Sequence, residues 1–398
     1  MQRRSRVPNS IVVFGIVAAA TVATSLTHAQ SQPPPRARYA MDVETLSGMA
    51  GMAGRGVGGA FSMAFGGGGK ETRMLHLRLG SSLAATGVPK ADHFFLPAAK
   101  LGKSVPLISP DKVEGEWPEG MERPKGRLLL YWGCSAVAGK GQPIVIDFAK
   151  IAAGQMPPNL FSVRVPRDPG PLASNSKSFA QWPYGKNSKQ PGGGSSLLGE
   201  HRIASTFAPE IKFSLGQEYM QGLRTETSLG TSGAVAISWA AINGATGYHA
   251  WTFGMKMGAD GKPQDMVWWS SASAREFGGG LWDWLSPAVV QRLIGQKIVM
   301  PPSQTSCIVP AEVKAASPEF MLGNIVAYGP EANFAFPPRP ADSRTPWIPD
   351  WTAKIRYRAM TSWMVGAPGM PGADGGSSQP QEKKCKPSLG GLMRGKAC

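Results

Sequence analysis

Four histidines, His76, His93, His201 and His249, stand beyond an N-terminal leader, each isolated from the others along the chain. A metal site built on them needs donors gathered from distant strands, because no short run carries ligands at zinc spacing. Asp92-His93 sets a carboxylate beside an imidazole, and both could reach one ion, yet the pair reads as an exposed loop turn. Asp111, Glu114, Glu116, Glu119 and Glu122 are carboxylates of the kind that, suitably separated, hydrolyse glycosides. They lie in a Pro/Gly loop with no apolar pocket beside it to raise one pKa, so they read as solvated, with calcium the ion such a loop would hold. Gly66 to Lys70 imitates a phosphate loop, but Ala64 replaces its first glycine and Glu71 its magnesium-binding hydroxyl. No Gly-x-Ser-x-Gly elbow occurs. Catalytic residues are therefore not assigned, and no cofactor or metal is expected.

Tryptophan is the stronger signal. Trp239, Trp251, Trp268, Trp269, Trp282 and Trp284, six of the twelve, fall in one stretch. A sandwich core needs one or two such rings, so the others either pack an inserted helix or offer platforms for sugar rings or protein partners. Adjacent Trp268 and Trp269 point to opposite sheet faces, and one of them leaves the core. His249 points opposite to Tyr248 and reads as a surface residue. Trp251, Trp268, Trp269 and His249 are the candidate ligand contacts.

The elements that position these residues are strands. Leu75, Leu77 and Leu79 alternate with His76 and Arg78, and Val235, Ile237 and Trp239 show the same period of two. Further strands are expected at Leu128–Trp132, Ile144–Ile146, Phe161–Val165, Ile211–Leu215, Tyr248–Phe253, Met266–Ser270, Asn324–Tyr328, Asn333–Phe336 and Lys354–Arg358. One helix is expected over 287–294, with Ser286 as its N-cap, Pro287 at its first position and Gly295 at its end. Gly, Pro and Ser clusters divide the chain. The layout is a signal peptide over 1–29 and a flexible Gly/Met/Pro-rich segment over 30–70. An all-β unit over 71–168, a linker over 169–204, a second sandwich over 205–360 and a disordered basic tail over 361–398 follow. The fold class is mainly β, as two antiparallel sandwich-like units.

Arg3, Arg4 and Arg6 before the short apolar run Ile11–Ala23, with cleavage after Ala29, predict export to the periplasm or beyond in a Gram-negative bacterium. No later segment is apolar over the twenty residues a membrane span needs. The formal charge is +16. Removing three leader arginines and the net +4 of the tail leaves about +9 on the body, which favours anionic envelope polymers. No nucleic-acid motif accompanies it. Cys134, Cys307, Cys385 and Cys398 allow three disulfide connectivities. The favoured pairs are Cys134–Cys307, tying the halves together, and Cys385–Cys398, closing a loop in the tail.

Trp239, Gly244-Ala-Thr-Gly-Tyr248 and Asn324-Ile-Val-Ala-Tyr328 resemble the core tryptophan strand, the next turn and strand, and the later tyrosine strand of fibronectin type III-like domains. The likeness covers about a third of the chain. The helix at 287–294 departs from that family's compact form. The whole chain, with its Gly/Met-rich leader and Tyr131-Trp-Gly-Cys134, is similar to a family of exported proteobacterial proteins, a likeness that brings no activity with it. These readings converge on a non-enzymatic periplasmic or surface protein that binds an envelope polymer or protein partner. The alternatives are a hydrolase or metal-dependent enzyme with its site between the two units, and a structural subunit of an envelope assembly.

Overall fold

The computed structural model describes residues 34–53, 71–110, 126–153, 155, 164–165, 167–185, 189–342 and 345–365. The leader, the acidic run 111–122, the Gly66–Lys70 loop, most of Phe161–Val165, Cys385, Cys398 and the tail lie outside them.

Alternating apolar and polar residues produce strands throughout. In chain order they are β1 (Ala37–Ser47), β2 (Thr72–Ser81), β3 (Ala91–Phe94), β4 (Ser104–Leu107), β5 (Arg127–Trp132) and β6 (Ile144–Asp147). Next come β7 (Ser178–Trp182), β8 (Gly199–Ser205), β9 (Ile211–Leu215), β10 (Thr225–Leu229) and β11 (Val235–Trp239). The last are β12 (Gly247–Met257), β13 (Pro263–Ser270), β14 (Ser306–Val309), β15 (Phe320–Phe336) and β16 (Trp351–Val365). Four short helices accompany them among the described residues: α1 (Gly48–Ala53), α2 (Phe148–Ala152), α3 (Pro287–Gly295) and α4 (Ala311–Ala316). None is long and apolar enough to cross a membrane.

The strands form three sheets. The largest runs β6-β5-β13-β12-β15-β16-β1-β2-β7, with β1/β16 and β5/β13 parallel and the other neighbours antiparallel. The others are antiparallel: β4-β3-β8-β9 and β10-β11-β14. Both small sheets cover one face of the large one. Tyr39, Leu77, Tyr248, Trp269 and Tyr357 from the large sheet share a core with Ile203 and Phe213 from one small sheet and Ile237 and Trp239 from the other.

The mainly β class stands, but its division changes. β5 pairs with β13 and β1 with β16, so strands from both sides of the expected boundary share one sheet. The expected linker 169–204 contains β7 and the start of β8. The expected flexible segment 30–70 contains β1, buried along almost its whole length between β16 and β2. Its overall composition is glycine-rich, but glycine begins only at Gly48, and Ala37–Ser47 alternates Tyr39, Met41 and Val43 with Asp42 and Glu44. The strands foreseen at 324–328 and 333–336 are one long strand, β15, whose register against β16 shifts between Tyr328 and Glu331.

α3 begins where its signals place it, the Ser286 hydroxyl accepting from the Val289 amide with Pro287 in the first turn. Val290 and Leu293 bury against Trp251, Val326 and Tyr328, on the face of the large sheet away from the small ones. Cys134 and Cys307 are bridged, joining the segment after β5 to β14 of the three-stranded sheet.

Candidate functional site

The covered face of the large sheet takes the odd residues of β1, and the opposite face takes the even ones. Alternation therefore sends Asp42 and Glu44 of β1, His76 and Arg78 of β2, and Lys354, Arg356 and Arg358 of β16 to that opposite face. Register sets Asp42 between Arg356 and His76, and Glu44 beside Arg358. Asp42 has 0 % exposure. Its two oxygens receive the Arg356 fork at 2.7 and 3.0 Å, and Arg78 closes on Oδ2 as well. Glu44 accepts from Arg358 at 2.6 Å. Burying such groups is tolerated because each carboxylate is held by charge-assisted hydrogen bonds in good geometry.

These cations also stitch loops onto the face. Arg356 donates to the carbonyls of Asp168 (2.8 Å) and Trp284 (2.9 Å), and Arg78 to that of Pro169. Lys354 pairs with Asp168 at 2.6 Å. Gly170, at φ +70°, lets that loop turn directly over β1, where an added Cβ would press Ala40 at 3.3 Å. The loop from Leu281 to Leu285 is held at three carbonyls, by Tyr328 Oη on Leu281 (2.6 Å), Arg358 on Trp282 (2.7 Å) and Arg356 on Trp284. The Arg358 guanidinium lies 3.5 Å from the Trp284 ring centre, and His76 meets that ring edge-on at 5.5 Å.

Between the loops lies a cleft of about 600 Å³ lined by Asp42, His76, Arg78, Gln181, Trp182, Tyr184, Asp283 and Trp284, among others. Burial lowers the His76 pKa and raises that of Asp283. One Asp283 oxygen already accepts from the Trp284 amide at 2.8 Å. The cleft thus offers aromatic walls, a neutral imidazole, a carboxylate and an amide side chain, over a floor whose arginine is shared with Asp42. That combination suits a polar, largely uncharged ligand with one apolar face.

The residues expected to contact a ligand lie elsewhere, Trp251 and Trp268 on the same face and Trp269 on the covered one. Trp251, Trp268 and Trp269 are buried, and so is His249. Trp269 enters the main core, its indole donating to the Gly133 carbonyl at 2.9 Å. Trp268 faces the other way, packing Phe277 at 5.2 Å, so the opposition of the two rings holds while neither leaves the interior. The surface placement of His249 is corrected. β12 is central and covered on both sides, so alternation separates two interiors rather than interior from water. His249 stacks near Trp251 at 5.8 Å, and burial pushes its pKa down to about 3. The exposed ring of this cluster is Trp282, at 39 %, stacked on Trp268 at 5.2 Å.

Asp92-His93 is also not a loop turn but part of β3, with His93 fully buried. Among the described residues, no three His, Cys, Asp or Glu side chains gather as a metal set. The cleft was hidden because its members come from four separate segments, over a floor tied to a fifth, β16. His76 and Arg78 were recognised as one side of a strand, and Lys354, Arg356 and Arg358 as part of another. Asp42, the partner of Arg356 and Arg78, lay in the stretch read as a flexible segment. Comparison of the chain with family models, curated proteins and solved structures finds no match.

Proposed function

We propose that this chain is an exported, non-enzymatic protein that binds the sugar units of an envelope polymer in the cleft beside Trp284. The observation that carries the reading is the loop Leu281–Leu285, pinned at three carbonyls so that Asp283 and Trp284 project against His76, Gln181 and Tyr184. A pyranose ring lays its apolar face on indole and its hydroxyls on a carboxylate, an amide and an imidazole. The positive net charge draws anionic polymers towards the protein from a distance, while the cleft reads the sugar itself.

Binding is favoured over hydrolysis by the state of the carboxylates. Both oxygens of Asp42 are taken by arginines and the side chain is closed to solvent, so it cannot serve beside Asp283 as base or nucleophile. The fibronectin type III-like reading is supported by β10-β11-β14 facing β12, β13 and β15, with the Trp239 ring packed on Tyr248 at 5.4 Å between the two layers.

The test is calorimetric titration with oligosaccharides released from Gram-negative envelopes, comparing the parent protein with Trp284→Ala and Asp283→Asn. Each substitution is expected to weaken binding about tenfold or more, roughly 1.4 kcal/mol. Absence of saccharide binding by the parent, or equal binding by all three proteins, overturns the reading.

A further inference from the structure

Behind the covered face of the large sheet, three side chains form a continuous hydrogen-bonded chain. The Tyr39 hydroxyl meets His93 Nδ1 at 2.5 Å, His93 Nε2 meets His201 Nδ1 at 2.9 Å, and His201 Nε2 meets the Leu197 carbonyl at 2.7 Å. Tyr39 belongs to β1 of the large sheet, whereas His93 and His201 belong to β3 and β8 of the four-stranded sheet. All three are buried.

Proton positions follow from the far end. A carbonyl only accepts, so His201 Nε2 carries hydrogen, and in the neutral ring Nδ1 must accept. His93 Nε2 therefore donates, its Nδ1 accepts, and Tyr39 donates. Each bond holds one hydrogen, and the neutral chain has a single consistent arrangement. A first added proton fits only on His93 Nδ1, and only if the Tyr39 hydroxyl turns round and leaves its own hydrogen facing an apolar interior. A second must sit on His201 Nδ1, pointing an N–H at the N–H of His93.

Among the described residues, aromatic rings flank the two imidazoles, and no carboxylate is hydrogen-bonded to either. Phe95 stacks on His93 at 4.1 Å, Phe213 stacks on His201 at 5.2 Å, and Phe334 of β15 stacks on Phe213 at 5.1 Å. Among the described residues, the titratable groups bonded to His93 are Tyr39 from β1 and His201 from β8, and His201 in turn lines a cavity shared with Glu200 and Arg202 of β8 and Lys212 of β9. Asp42, on the same strand as Tyr39, points to the other face and is held by Arg356 and Arg78. Burial keeps both imidazoles below their ordinary pKa, that of His93 well below, with His201 adding to the effect on it.

We infer that Tyr39, His93 and His201 form an acid-sensitive latch: they hold the four-stranded sheet on the large sheet while neutral, and release it when both imidazoles gain a proton. The latch does not depend on what the cleft holds.

Hydrogen exchange of the whole protein, corrected for intrinsic rates, tests it at pH 7.5 and 5.0. Amides of β3 and β8 should exchange at least tenfold faster at pH 5.0, while those of β12, β15 and β16 change less. In the His93→Gln/His201→Gln protein the acid-induced difference should disappear. Tyr39→Phe, which frees His93 Nδ1 to take a proton, should move the opening to higher pH. Unchanged protection of β3 and β8 at pH 5.0 overturns the latch. So does acid loosening that is the same in the double variant, or in Tyr39→Phe, as in the parent.

Discussion

Two ends of one sheet face solve burial in opposite ways. Where β16, β1 and β2 meet, Asp42 and Glu44 are buried against cations, Asp42 gripped by Arg356 and Arg78 and Glu44 by Arg358. Along β12, beside α3, His249 is buried neutral next to Trp251, whose ring in turn meets Trp282 at 6.1 Å. Both ends exclude water. The difference is whether the fold brings an opposite charge within reach: Asp42 and Glu44 have one, whereas His249 has none beside it and burial drives it to neutrality. The same loop, Leu281 to Leu285, closes over both, its apolar ends packed under α3 and its middle held by the arginines.

The largest effect should come from breaking the charge-paired end. Asp42→Asn leaves Arg356 buried without its counter-charge, which costs about 3–5 kcal/mol in such sites. That is a large part of the ~5–15 kcal/mol typical of a folded domain. Urea unfolding should show the midpoint falling steeply, and a loss below about 1 kcal/mol would mean that the pair is not the anchor of this end.

The neutral end is broken by acid instead. His249, at about 3 when folded, lies below its ordinary value near ~6.5. The stability due to its neutrality is fully present above pH 6.5 and is lost as pH falls from there towards 3. At pH 5 that loss is about 2 kcal/mol. His249→Gln should lose correspondingly less stability between pH 7.5 and 5.0 than the parent, and equal losses would place the histidine in contact with water. Ser286→Ala, which removes only the cap of the helix covering this end, should cost about 1 kcal/mol, with a smaller shift of the unfolding midpoint than either.

Much of this was legible from local pattern. The period of two in Leu75–Leu79, Val235–Trp239 and Lys354–Arg358 located β2, β11 and β16, and the Ser286-Pro287 pair located α3. β1 was missed because the composition of a long segment outweighed the alternation of eleven residues within it. The burial of His249 was missed because period two says which side chains share a face, not whether that face meets water.

The chain's own order of residues determined which groups share a side of each strand, where the helix under the Trp cluster starts, and that a cysteine pair could span distant segments. Tertiary structure alone decided that β1 lies between β16 and β2. Strand neighbours far apart in sequence are chosen by the mutual fit of whole faces, and that choice turned Asp42 into the partner of Arg356 and set Tyr39 against His93.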